Sequence, residues 1–350
     1  GETTVNAGGN DITLDNANND FTGAVKLSGG NVTLRDANAL LLGSSNVNGS
    51  LNITGGDITQ NWPLTVGGKT TVNAAGKDIK LDAPNNFFGE VFLRGQNVNI
   101  KNLGPLRLGD ITAPGSFTVT AGGTINPNGA VNVGTFDLKG GNWEQVNSAL
   151  PSFSATDFRI SGGSFLRALE GTGASGSPYK ITDIYGLQGM GSAGMLDKYY
   201  SLANDIDASG TSKWNNNGSG VYAGFVPIGN ETNYGANKFT GSFDGGGHTI
   251  SGLTINRSST DYAGLFGYTG GATLSNIGLV NATVTGVREV GGLVGYLGNT
   301  SSLSNSYVTG TVRGSGVSMN VGGLVGTVEM NSSVNSSYSA ATVEGDVSVG

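Results

Sequence analysis

Residues 1–21, GETTVNAGGNDITLDNANNDF, return at 68–88 as GKTTVNAAGKDIKLDAPNNFF, identical at 14 of 21 positions. After a one-residue slip, VKLSGGNVTL (25–34) aligns with VFLRGQNVNI (91–100), so the offset is 67 and then 66. Inside each copy a shorter phrase recurs: apolar, any, apolar, a glycine turn, then apolar again. Val25, Leu27, Gly29 and Gly30 lead to Val32 and Leu34, and Leu51, Ile53, Gly55 and Gly56 lead to Ile58. The phrase comes back around Val91, Phe117, Phe136 and Ile160. Successive turns lie roughly 18–27 residues apart, a solenoid period rather than a hairpin one, and the long duplication is about three coils of 22 residues.

A unit this short cannot bury a core alone and becomes stable only by stacking on its neighbours. Alternation of apolar and polar residues on each side of the turn predicts short strands with one face inward. Parallel stacking at about 4.8 Å satisfies both demands. Val, Ile, Leu and Phe then fill the interior, and Gly and Asn take corners where positive φ is tolerated. The expected fold is all-β, a right-handed parallel β-helix. A β-propeller is the chief rival, but it expects closed units of about 40–50 residues with longer antiparallel strands.

Composition agrees. Glycine supplies 62 of 350 residues, yet 37% of the chain is hydrophobic and only eight residues are proline, so the glycines read as turns rather than disorder. The net charge of −7 argues against nucleic acid, whose binding rests on clustered Lys and Arg. No apolar run approaches the roughly 20 residues of a membrane helix. The absence of cysteine fits either a reducing compartment or a scaffold that needs no staples. The opening GETTVNAGG shows no signal peptide and reads as mid-pattern, the start of a fragment.

Three regions follow. Residues 1–170 are coils of about 22 residues. Residues 171–257 are a glycine- and serine-rich join, GTGASGSPYK, and an excursion around 181–240 that includes the best candidate for a short helix, before strands return. Residues 258–350 carry AGLFGY (263–268) and VGGLVG twice (290–295 and 321–326), with Gly264, Gly292 and Gly323 in equivalent places. Their spacings of 28 and 31 predict larger coils, in which the apolar residues fill a narrow core and the glycines let neighbouring coils approach.

The stretch GNWEQVNSALPSFSATDFRISGGSFLRALEGTGASGSPYKITDIYGLQGM (141–190) resembles a segment of large secreted adhesins of the two-partner secretion type, the filamentous-haemagglutinin-like and high-molecular-weight exoproteins of Gram-negative bacteria. YYSLANDIDASG, FVPIG and FTGSFDGGGHTISGLTINR continue the likeness, and the GGLVG units are similar to the GLUG motif, which also occurs in some bacterial immunoglobulin-cleaving proteases. The resemblance covers about 141–350 and implies a fibrous β-helix exported through an outer-membrane transporter to display binding surfaces. Relatives carry an N-terminal secretion domain with an Asn-Pro-Asn motif. NPNG at Asn126–Gly129 lies inside a coil without that setting, and a turn explains it.

Parallel β-helices also host polysaccharide lyases and hydrolases, so catalytic acids need weighing. Asp11 and Asp15 recur as Asp78 and Asp82 in the duplicate, which marks corner residues rather than an active site built once. Asp205 and Asp207 lie two apart, on one face of a strand, and read as turn caps. Asp244 reads as a turn acid before three glycines, and the lone His248 as an ordinary histidine. One histidine cannot make an H-E-x-x-H site, no G-x-S-x-G elbow precedes it, and without cysteine no site of several His or Cys ligands can form. The expectation is a protein without enzymatic activity, metal or cofactor.

Recognition is expected in the excursion, which gathers Tyr185, Tyr199, Tyr200, Trp214, Tyr222 and Tyr234. These rings either stack on a glycan or anchor a protein partner, or else they plug the excursion against the coils. N-x-S/T sequons at Asn31, Asn48, Asn52, Asn217, Asn230, Asn256, Asn281, Asn299, Asn331 and Asn335 are candidate glycosylation sites, although asparagine is abundant enough to give about seven by chance. The leading expectation is a secreted surface adhesin segment binding a receptor on host cells, other bacteria or biofilm matrix, in keeping with a role in virulence. The alternatives are a polysaccharide-degrading β-helix and a stalk without a ligand.

Overall fold

The computed structural model describes residues 1–230, 237–329, 331–346 and 348–350, and the side chains of all of these except 316–319. The chain divides into two units, Gly1–Gln145 with Pro151–Ser164 and Val146–Leu150 with Phe165–Gly350. The join read at 171–180 therefore falls inside the second unit.

In the first unit short strands pair in parallel, each with its counterpart one coil on. One inward column runs Leu40, Ile58, Ile79, Val98, Phe117, Phe136, Phe158, every member in register with the next. All seven are buried. A second column runs Leu34, Ile53, Val72, Leu93, Ile111, Val131, and a third Val47, Val66, Phe87. Three inward faces per coil of about 20 residues make a parallel β-helix. Alternation does the sorting: Val25–Gly29 reads buried, half-buried, buried along its length. Each buried Val, Leu or Phe contributes about 1.5–3 kcal/mol, and none could do so without the coil beside it.

Buried amides close one corner of this core. Asn85 is fully buried; its Oδ1 accepts from Leu64 N (2.8 Å) and Gln60 Nε2 (2.8 Å), while its Nδ2 donates to Leu81 O (2.9 Å) and Lys101 O (3.1 Å). Asn102, one coil on, accepts from Phe87 N at 2.8 Å. Replacing Asn85 with leucine keeps the branched shape but removes the amide and strands these partners, so a loss of about 2 kcal/mol is expected in urea unfolding.

The second unit repeats the plan with larger coils. One sheet stacks Tyr179–Ile181, Tyr199–Leu202, Ser242–Asp244, Thr273–Ser275, Ser302–Ser304 and Ser333–Asn335 in parallel. A second contains Thr249–Ser251, Gly278–Gly291, Tyr307–Gly322 and Tyr338–Glu344, and a third Phe266–Gly270, Val294–Gly298 and Val325–Val328. The repeated VGGLVG phrase is a close-approach device. A Cβ added at Gly292 would meet Gly323 O and Val308 Cγ1, each at 2.6 Å, so the backbone itself lies where a side chain would go.

Corners here use serine hydroxyls. Ala272 N donates to Ser301 Oγ and Ser301 N to Ser332 Oγ, each at 3.1 Å, so one hydroxyl per coil satisfies the amide of its neighbour. The excursion expected at 181–240 is divided by the strands Tyr199–Leu202 and Ile206–Asp207, which belong to the coils. It holds a short α-helix, Ile184–Gly189, begun by Asp183, whose Oδ1 accepts from Gly186 N at 2.9 Å and whose Oδ2 accepts from Arg167 Nε at 2.6 Å.

Candidate binding surface

The aromatic cluster expected to bind is only partly at the surface. Tyr200 is 2% exposed; its hydroxyl donates to Met195 O at 2.6 Å, and burial pushes the phenol well above its ordinary range. Trp214 is 1% exposed and stacked between Tyr185 (5.7 Å) and Phe225 (6.5 Å). Tyr200 and Trp214 thus seal the core beneath the excursion, a correction to their reading as ligand contacts: burying so large an apolar ring outweighs leaving it in water. Tyr185 is half-buried in the same stack. Tyr199 and Tyr222 reach solvent, at 39% and 37% exposed. Tyr234 lies outside the described residues. Nearby, an open depression of about 980 Å³ is bordered by Ser192, Asp197, Lys198, Pro227 and Lys238, a mixed polar rim of the kind that suits a hydrophilic partner.

Most of the candidate acids are engaged in corners or turns. Asp11 Oδ1 accepts from Asn31 N (2.8 Å) and Nδ2 (3.1 Å), and its duplicate Asp78 accepts from Asn97 N (3.1 Å) and Nδ2 (3.0 Å). Asp57 accepts from Asp78 N and Asp110 from Ala130 N in the same way. Asp82 pairs loosely with Lys80 at 3.6 Å, and Asp15 is exposed. Asp205 and Asp207 do not share a strand face, since the strand is Ile206–Asp207 alone. Asp205 Oδ1 accepts from Thr249 N (2.8 Å) and Asp207 Oδ1 from Ser209 N (2.9 Å). Asp244 accepts from Gly246 N (2.9 Å), the turn role expected, and His248 Nδ1 stands 3.4 Å from Asp205. Among the described residues no three acidic or histidine side chains converge as a metal site requires.

The two turn acids carry a pH dependence. The Thr249 backbone amide holds Asp205 below its usual value, and the Ser209 side chain and amide do the same for Asp207. A depressed folded value gives stabilisation that is full above the ordinary aspartate pKa of about 4 and lost as the pH falls through the lower folded values. Asp205→Asn, which like the protonated acid keeps an acceptor but no charge, is therefore expected to lose this contribution at neutral pH and to flatten the acid limb of second-unit stability, the two proteins converging at low pH, read by hydrogen exchange at the amide of Thr249.

Nine of the ten sequon asparagines are exposed and Asn299 is half-buried. Several have a structural reason to be asparagine: Asn281, Asn299 and Asn331 adopt φ of 52°, 53° and 60°, a region asparagine tolerates better than most residues. Asn31 is a corner link, accepting from Ser50 N while donating to Asp11.

Sequence reasoning missed the outward tyrosine columns. Tyr268 and Tyr296 are register partners with rings 4.6 Å apart and 6° from parallel, and Tyr262 stands edge-on beside both. Tyr307 and Tyr338 are register partners at 5.5 Å and 8°. Tyr296 donates to Glu329, and burial, then this bond, raises its phenol above the ordinary range. The signal was present: AGLFGY and GGLVGY place a tyrosine at the same point of successive coils.

Comparison with known proteins gives matches in both units. A family model described as repeats of unknown function matches 1–28, 29–93 and 95–146. The GLUG motif matches 286–313, which contains the first VGGLVG. Halomucin from Haloquadratum walsbyi is 38% identical over 211 residues, covering 58% of this chain and 2% of halomucin. The chain thus spans a small fraction of that protein. No solved structure matches.

Proposed function

We propose that this chain is a non-enzymatic segment of a large surface-associated protein, an adhesin-like β-helix that attaches to another cell, a host surface or matrix. The GLUG match and the similarity to halomucin point to a surface-associated protein. The observation that carries the reading further is the use of the corner acids: Asp11, Asp78 and Asp110 hold backbone amides of the next coil, which leaves long lateral faces of hydroxyl, amide and tyrosine side chains as the available surface. Such faces suit extended contact with a glycan or a protein partner. Glycosylation of exposed sequons and export by a dedicated outer-membrane transporter belong to the same proposal. A Gram-negative source finds no support in the archaeal relative; the likeness at 141–190 is its ground.

Arrays of glycans and extracellular proteins probed with the purified chain test the reading. Saturable binding to one class supports adhesion, and its absence across both leaves a stalk. Incubation with acidic and neutral polysaccharides is expected to leave their chain length unchanged; depolymerisation would replace the proposal with an enzyme.

A further inference from the structure

We propose that the stacked tyrosine pairs are sites of oxidative cross-linking, at which neighbouring coils of the second unit become joined by dityrosine bonds. The chain has no cysteine, so no disulfide can link its coils covalently. The parallel ladder instead brings like side chains together. Tyr268 and Tyr296 sit in register with ring centroids 4.6 Å apart and 6° from parallel, and Tyr307 and Tyr338 at 5.5 Å and 8°. All four rings reach solvent at least in part, Tyr338 most. Glycines make the seats: a Cβ at Gly298 would lie 2.3 Å from the Tyr296 ring, and one at Gly278 would lie 2.8 Å from the Tyr307 hydroxyl.

The chemistry balances with a peroxide-driven one-electron oxidant. Each phenol gives up one electron and one proton to become a phenoxyl radical, and two such oxidations reduce one hydrogen peroxide to two waters. The radicals join through a ring carbon ortho to each oxygen. Each coupled carbon then releases its hydrogen as a proton while the oxygen takes one up, which restores aromaticity. The product has lost two hydrogens in total. Glu329, which already accepts from the Tyr296 hydroxyl, is placed to take the first proton from that ring. Two radicals held side by side need no diffusional encounter, so coupling within one chain outruns coupling between chains. The Tyr179–Tyr200 pair is the built-in contrast: its rings are 5.8 Å apart and tilted by 41°, and Tyr200 is buried.

The test treats the folded chain with a haem peroxidase and hydrogen peroxide, then maps peptides from the monomer band. Expected are blue dityrosine fluorescence in that band, cross-linked peptides joining Tyr268 to Tyr296 and Tyr307 to Tyr338 with two hydrogens missing, and a rate independent of protein concentration. Tyr296→Phe, which keeps the ring stack, should remove the first cross-link and leave the second; unfolding in urea beforehand should abolish the selectivity. The proposal is overturned if the monomer band contains no dityrosine, if cross-links form only between chains at a rate rising with concentration, or if Tyr179–Tyr200 couples as readily as the two parallel pairs. The outcome is independent of whether the chain binds a receptor.

Discussion

Gly292→Val is expected to destabilise the second unit by about 3 kcal/mol or more. The added side chain would start 2.6 Å from Gly323 O and from a methyl of Val308, and a carbonyl in a neighbouring coil cannot swing aside as a flexible side chain would. Relief requires the coils to separate, which breaks the register between Val290–Gly291 and Val321–Gly322. Gly210→Ala is the matched control in the same unit, because a Cβ there meets nothing within 4 Å and the backbone is in an ordinary region. It should be neutral or stabilising by a few tenths of a kcal/mol through the unfolded chain. Hydrogen exchange of peptides across 263–345 separates the two: fast opening in the valine variant, unchanged protection in the alanine one. Equal protection in both would mean that the glycines are not held by close approach.

Phe136→Ala is expected to cost the first unit about 3–5 kcal/mol. The ring is fully buried where four others meet it: Phe158 stacked at 5.1 Å, Trp143 and Phe153 edge-on at 5.2 Å, and Phe117 at 6.0 Å. A rigid stack of coils collapses poorly into a void, so the loss should lie near the upper end of that range. Phe88→Ala, at a ring 67% exposed, should change stability by no more than about 0.5 kcal/mol. Urea unfolding followed through Trp143, with Trp62 and Trp214 replaced by phenylalanine, checks both.

The coil architecture was legible because the chain repeats it. Asp11 and Asp78 occupy equivalent corners in the duplicated blocks and make the same pair of hydrogen bonds, so one argument served both. The glycine phrases were likewise read as close-approach units, which the Gly292 environment confirms. What stayed hidden lay where the rhythm breaks. Between 181 and 240 no period sorts inward from outward, so Tyr200 and Trp214 could not be told from Tyr199 and Tyr222, although burial separates them completely. Asn85 and Asn102 are polar residues in the interior, and only the amides around them show why. The tyrosine stacks needed a coil-by-coil alignment of 258–350, where the periods are unequal.

The in-register stacking of coils is tested most directly by distances along one outward column. Thr59, Lys80, Asn99, Thr118 and Asp137 are successive register partners in the first unit, and the chain has no cysteine of its own. Spin labels on cysteine pairs introduced at 59 and 99, 59 and 118, and 59 and 137 should give backbone separations rising in even steps, about 10, 14 and 19 Å, because each coil adds about 4.8 Å. Separations that fail to rise step by step, as in a closed propeller or a hairpin sheet, would contradict the stacked-coil account.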